Sequence, residues 1–149
     1  MHNWFECKVK YEKSAGDGKI LNVGEAYLID AMSFTEAESR IIEEMRPFIS
    51  GDFKVENIKR VRIYEMFPNA NGDKWYRCKV FFISLDEEKG VEKRTGAAIY
   101  VQATDIKDAW DGLQDGMKGT LSEYEVAAIS ETAIMDVYPY SIEKNKVED

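Results

Sequence analysis

The sequence predicts an α+β protein that consists of a tandem duplication of one β-β-α-β unit, and three observations support this prediction. Residues 4–9 (WFECKV) recur as residues 75–80 (WYRCKV), although the chain has only two cysteines and three tryptophans. Later landmarks also coincide, because Gly24 lies over Gly96 and Pro68 over Pro139. Each copy passes from the two-residue period of strands to the longer period of a helix.

The first strand of each copy has one apolar face. Phe5, Cys7, Val9 and Tyr11 alternate with charged residues, which is typical of a strand with one buried face. Residues 13–19 (KSAGDGK) are polar and glycine-rich, so they predict a hairpin loop and antiparallel pairing.

Each copy then carries a helix signal. Ser33 and Glu36 have the spacing of a capping box, and Thr104 or Asp105 caps the second helix. Gly112 and Gly116 lie inside that second helix and weaken it by about 1 kcal/mol each relative to alanine. We expect antiparallel sheet or sheets with the two helices packed on one side.

Residues 53–66 and 124–137 predict long return strands that contain a bulge or a bend. A turn-rich linker, residues 68–73, separates the copies, so the predicted repeats are residues 1–70 and 71–140. Residues 141–149 are charged and lack periodicity, which predicts a disordered tail.

The two cysteines occupy matching positions on the apolar faces of the first strands. This position favours Cys7 and Cys78 as buried, inert thiols over a disulfide between neighbouring strands, although both arrangements fit the sequence.

Composition excludes several classes of protein. The chain is 44% hydrophobic and 32% charged, as in globular proteins, and no run reaches the roughly 18 apolar residues that a membrane span needs. It shows no secretory leader, so we expect a cytoplasmic protein. The net charge of −8 argues against a general duplex-DNA binder.

The sequence contains no catalytic signature. His2 is the single histidine, and neither a Cys-x-x-Cys nor a His-Glu-x-x-His spacing occurs. The glycines near Gly16 join two strands and do not open a helix, so they do not form a phosphate loop. We therefore expect a non-enzymatic protein without metal or cofactor, with a carboxylate-only magnesium site as the alternative.

The more informative feature is the second face of the strands, where aromatic and basic residues alternate with the core. Such a surface can stack bases and hold phosphates. The candidate ligand-binding residues are Trp4, Lys8, Lys10, Arg60, Arg62, Trp75, Arg77 and Lys79. The competing interpretation is a solvated strand surface with tryptophans that cover the edge of a core.

Three stretches carry a family resemblance. Residues 4–9, residues 33–45 (SFTEAESRIIEEM) and residues 130–139 (SETAIMDVYP) resemble a domain-of-unknown-function family of short proteins. That family is associated with gut bacteria of the Bacteroides type and with their phages and prophages. The resemblance implies a small cytoplasmic protein and assigns no activity.

These observations together predict a binding protein. Its ligand would be a nucleotide, a nucleotide-derived signal or single-stranded nucleic acid, bound on the sheet face or in a groove between the repeats. The alternative is a homodimeric protein-interaction module, with an exposed apolar patch around Phe81, Tyr100 and Met135.

Overall fold

The computed structural model describes residues 3–140, and within this range the predicted α+β class is confirmed. The elements are, in chain order, β1 Trp4–Ser14, β2 Ile20–Asp30, α1 Phe34–Met45, β3 Phe53–Val61, β4 Glu65–Phe67, β5 Lys74–Asp86, β6 Val91–Ala103, α2 Ile106–Gly116, β7 Glu123–Glu131 and β8 Ile134–Tyr138. The expected disordered tail, residues 141–149, lies outside the described residues.

The strands form two four-stranded sheets, each belonging to one folded unit. The first sheet has the order β3-β1-β2-β8, and the second has the order β4-β6-β5-β7. The first unit runs to Arg62 and resumes at Ala133, whereas the second unit is Ile63–Thr132. The folded units therefore do not coincide with residues 1–70 and 71–140.

This difference arises because the last strand of each half pairs with the other half's sheet. β8 lies parallel to β2, and β4 lies parallel to β6. The remaining pairings are antiparallel. The predicted antiparallel pairing therefore describes two of the three strand pairings in each sheet, and the third pairing, with β8 or β4, is parallel.

The exchange also divides the two predicted return strands. β3 ends at Val61 and β4 begins at Glu65, while β7 ends at Glu131 and β8 begins at Ile134. Each return strand contains the expected irregularity, because the register of β1 with β3 shifts at Lys8/Val9 and that of β5 with β7 shifts at Lys79/Val80.

In the first unit, α1 covers one face of its sheet. Ala37, Ile41 and Met45 are buried against the inward row of β1, which is Phe5, Cys7 and Val9. The helix begins with the predicted capping box, in which the Glu36 N–H donates to Ser33 Oγ at 3.1 Å. Glu36 Oε1 accepts from the Met32 N–H at 3.0 Å. In the usual capping box this carboxylate binds the N–H of the cap residue, here Ser33, so the bond is displaced by one residue.

In the second unit, α2 covers its own sheet in the same way. Ala109 and Leu113 are buried, and Leu113 packs over Cys78 and Val80. Asp105 is the cap, because its carboxylate accepts from the Asp108 N–H at 2.8 Å. No helix within residues 3–140 is long and apolar enough to cross a membrane.

The glycines of α2 have a packing role that the sequence did not reveal. A Cβ atom built on Gly116 would lie 2.5 Å from the Phe67 ring, and one on Gly112 would lie 3.1 Å from Val101. The missing side chains let the helix approach β4 and β6 closely. The cost of two glycines in helix propensity is therefore offset by the close packing of α2 against Phe67 and Val101.

We predict that Gly116→Ala destabilises the protein by roughly 1 to 3 kcal/mol, although alanine is the better helix former. The overlap with Phe67 requires the ring or the helix to move. Chemical denaturation of the wild type and the variant measures the change in the free energy of unfolding.

The matched control is the same substitution in a Phe67→Ala background. With the ring removed, Gly116→Ala should be neutral or stabilising, because only the propensity gain remains. An equal loss of stability in both backgrounds would show that the close approach to Phe67 is not the cause.

Candidate functional site

The strongest candidate surface lies on the second sheet, on the face opposite α2. On β5, Cys78 and Val80 point to the helix, so the alternating Arg77, Lys79 and Phe81 occupy the other face. Arg94 joins them from β6, where it lies opposite Ile83, the next outward residue of β5. We call Arg77, Lys79, Phe81 and Arg94 the cationic face.

The residues on either side of Lys79 are small and leave its side chain uncovered. Lys79 lies opposite Ala98 on β6 and Ala128 on β7. Such residues are too short to cover a lysine, and Lys79 is exposed, as is Arg77. Around Lys79 the face is therefore a shallow strip of small residues, whereas Arg77, the second accessible cation of the middle strand, lies between Tyr100 on β6 and Ser130 on β7.

An aromatic ring with cations around it forms the far end of this strip. Phe81 is half-buried and lies close to Gly96, where a Cβ would be only 3.5 Å from the ring. The ring centroid is 5.2 Å from Lys79 Nζ and 4.9 Å from Arg94 Cζ, within cation–π range. Arg94 also pairs with Glu125 at 2.8 Å.

The charge on this face is only partly neutralised. Within residues 3–140, Arg77 and Lys79 form no ion pair, whereas the two lysines of α2 and its C-terminal turn do: Lys107 pairs with Asp111, and Lys118 pairs with Asp115, each at 3.1 Å. The Arg77 and Lys79 side chains are therefore available to an anion.

The two tryptophans do not contribute an exposed stacking surface. Trp4 is 6% exposed and Trp75 is 5% exposed, so both rings are buried. Their strand faces were predicted correctly, but burial leaves no ring surface for a base. On the second sheet, Phe81 is instead the accessible aromatic residue of the cationic face.

The corresponding face of the first sheet carries lysines and carboxylates that partly pair, including Lys59 with Glu6 at 3.5 Å. Lys8 and Lys10 are exposed, and Lys10 lies directly opposite Lys54. Lys10 Nζ binds Glu56 Oε2 at 2.9 Å. This hydrogen bond, with the charges of Lys10, Lys8 and Lys54, lowers the pKa of Glu56. Here the cations are gathered but partly neutralised, and no aromatic ring is exposed among them.

The two arginines expected to extend that face lie elsewhere. Arg60 on β3 lies directly opposite Phe5 on β1, so it is on the helix side of the sheet. Its Cζ atom is 5.8 Å from the centroid of the Phe5 ring. Its Nη2 donates to Asn3 Oδ1 at 3.1 Å. Arg62 follows the end of β3 and is exposed. The bulge in β3, whose position the sequence did not reveal, changed the facing of the later residues.

Arg94 is the residue of the cationic face that sequence reasoning missed. It lies in the second strand of a hairpin, and its neighbours on the face are defined only by the register of β6 against β5. Alternation along β6 predicts the side of the sheet on which Arg94 lies, but only if the register that pairs Gly96 with Phe81 is known.

The two thiols are interior groups. Cys7 and Cys78 are both free and buried, which agrees with the inert-thiol interpretation. Burial raises the pKa of Cys7 to about 12, with a smaller contribution from Glu6, and burial raises the pKa of Cys78 to about 11. In the described part of the chain, no group of three or more His, Cys, Asp or Glu side chains could hold a metal ion.

We predict that both thiols resist a thiol-specific disulfide reagent in the native protein near pH 8 and react fully after denaturation. A raised pKa keeps the folded-state thiol protonated, so stability is retained below the unfolded-state pKa near 8.5 and declines as pH rises towards 11 to 12. Absorbance at fixed pH counts the reactive thiols. Rapid modification of either cysteine in native buffer would contradict this prediction.

Comparison with known proteins identifies one family. The family model described as "Domain of unknown function (DUF4494)" matches residues 3–140 of the chain. No curated protein and no solved structure shows a significant match.

Proposed function

Since the chain belongs to the DUF4494 family, whose description assigns no activity, we propose its function from the geometry: the cationic face binds a nucleotide or single-stranded nucleic acid without catalysis. The observation that carries this proposal is the exposed, unpaired Arg77–Lys79 pair beside a half-buried phenylalanine ring.

The residue types match the two parts of such a ligand. Arg77 can bind a phosphate through two N–H donors, and Lys79 supplies a compact positive charge. Phe81 with the Arg94 guanidinium supplies flat groups on which a base can stack. Because Ala98 and Ala128 flank Lys79, a phosphate can approach this lysine without displacing large side chains, whereas Arg77 lies opposite Tyr100.

Single strands and nucleotides suit this face better than duplex DNA. A net charge of −8 repels a long polyanion, so affinity must come from a few local contacts. An isolated nucleotide or an unpaired strand also exposes the base, which a duplex keeps stacked. The carboxylate beside the face, Glu125, is held by Arg94 at 2.8 Å and is not a free general base, which supports binding over catalysis.

The cellular setting belongs to the same proposal. An origin in Bacteroides-type gut bacteria or their phages, and a cytoplasmic location, would place the chain where nucleotides and single-stranded nucleic acids are abundant. A nucleotide-derived signal is a ligand of the same chemistry, because it combines phosphate with a base.

We predict that Arg77→Ala/Lys79→Ala weakens binding of a fluorescein-labelled oligo(dT) by about tenfold or more, since each charged contact contributes about 1.5–3 kcal/mol. The slope of log K against log salt should fall by about 0.7 per lost phosphate contact. Fluorescence anisotropy titrations at several salt concentrations measure both quantities, with a labelled mononucleotide as the second probe.

The control is Lys107→Ala/Lys118→Ala, which removes the same charge from α2 and the turn that follows it. This control should bind as the wild type does, because its lysines pair with aspartates away from the face. Equal weakening in both double variants, or the absence of saturable binding by the wild type, would refute the proposal.

A second candidate function is protein interaction, favoured by two exposed apolar residues on α2. Ile106 is 57% exposed and Trp110 is 45% exposed, one helical turn apart. Exposed tryptophans often anchor interfaces. The patch expected around Tyr100 is not available, because Tyr100 is only 3% exposed, although Met135 is 56% exposed.

For this candidate we predict a homodimer that Trp110→Glu dissociates. The charge would disrupt an apolar contact yet should leave folding intact, because the side chain points to solvent. Sedimentation equilibrium over a range of concentrations measures the mass. A wild type that is monomeric throughout would exclude the homodimer.

A further inference from the structure

A row of tyrosines and carboxylates crosses the helix-packed face of the first sheet. Tyr11 lies on β1, Glu25 and Tyr27 lie on β2, and Tyr138 lies on β8. Tyr27 Oη donates to Glu25 Oε1 at 3.1 Å, and the interaction with Glu25 raises the pKa of Tyr11. The Tyr27 and Tyr138 rings lie 6.1 Å apart. With Glu44 of α1, these residues form what we call the tyrosine row.

The row carries negative charge without a matching cation. Burial raises the pKa of Tyr138 to about 12, and the nearby Asp136 and Glu44 add to the shift. Within the described range, Glu25, Glu44 and Asp136 form no ion pair. Arg40, one turn before Glu44, instead donates to the carbonyls of Asp30 and Pro139.

The second unit shows that packing alone does not require these polar groups. The same strand registers and helix-cap offset place Phe82, Ala97, Ile99, Gly116 and Phe67 at the positions of Tyr11, Glu25, Tyr27, Glu44 and Tyr138. That set is apolar and fills the same place in the same fold. Partly burying hydroxyls and carboxylates costs free energy that the apolar set does not, so the polar row is not needed for packing.

The row is reachable from solvent at one end. Tyr11 forms part of the wall of an open depression of about 720 Å³, with Phe53 and Asp52 also on its lining and Glu12 bordering it from the opposite face of the sheet. Lys10 and Lys54 border it too, but their register places them on the opposite face of the sheet, where Lys10 binds Glu56. A small ligand in the depression would contact Tyr11, which is the member of the row on its lining.

We propose that the tyrosine row binds an organic ammonium group, either a free amine or a lysine side chain. Aromatic rings attract ammonium ions through their faces, and carboxylates accept their N–H donors. Three tyrosines with Glu25 and Glu44 provide both. This site is chemically distinct from the cationic face, lies in the other unit, and does not depend on the function proposed above.

The test is an NMR titration of the full chain labelled with ¹³C in its tyrosine rings. The probes are n-butylammonium chloride, n-butanol as the neutral isostere, and sodium chloride at matched ionic strength. We expect saturable shifts at Tyr11, Tyr27 and Tyr138 with the ammonium probe, and no saturable shifts with butanol or salt. Tyr76, Tyr100 and Tyr124, which lie in the second unit, serve as internal references.

Two variants separate the site from general electrostatics. Glu25→Ala installs the residue found at the equivalent position of the second unit, and with Glu44→Gln it should weaken binding by about tenfold or more. Glu38→Gln/Glu43→Gln removes the same charge from exposed positions of α1 and should leave binding unchanged. Tyr11→Phe keeps the ring and the fold, so it should give a smaller loss even if the glutamate variant unfolds.

Stronger binding of N-acetyl-lysine methylamide than of butylammonium would identify a protein lysine as the occupant, and the reverse order would identify a free amine. The absence of saturable shifts with either probe would overturn the proposal. So would an equal loss of affinity in the Glu38/Glu43 variant.

Discussion

The structure depends on the exchange of the two short parallel strands. β8 completes the first sheet against β2, and β4 completes the second against β6. Without these pairings, β2 and β6 would present unpaired edges, which expose backbone groups to other chains. Because each sheet needs a strand from the other half of the sequence, neither half contains a complete unit.

The exchanged strands also determine what each helix can contact. β4 brings Phe67 under α2, and this ring occupies the space that a side chain at Gly116 would need. β8 brings Tyr138 to the corresponding place beside α1, where Glu44 stands instead of a glycine. The exchanged strand therefore places an apolar ring beside the helix in the second unit and a tyrosine beside a glutamate in the first.

The two units differ in chemistry more than in architecture. Their sheets have matching strand orders, yet Lys10 and Phe81 occupy equivalent outward positions. The first sheet gathers lysines around Glu56, whereas the second combines cations with a half-buried ring. On the helix-packed faces the first unit is the more polar one, because the tyrosine row belongs to it. Such divergence on a repeated scaffold is what separate ligands for the two units would produce.

The sequence by itself determined the local structure, because strand alternation, hairpin loops and helix caps involve residues close together in the chain. Ser33 and Asp105 cap the helices as their spacing predicted. The facing of Arg77 and Lys79 followed from alternation, and the burial of Cys7 and Cys78 followed from their apolar neighbours.

Only the tertiary structure decided which strands pair over long distances, because that choice depends on the energies of whole sheets and not on any local pattern. It buried Trp4 and Trp75, turned Arg60 to the helix side after a bulge, and added Arg94 to the cationic face. It also assembled the tyrosine row, whose members come from β1, β2, α1 and β8. A surface built from four separate elements has no continuous signature in the sequence.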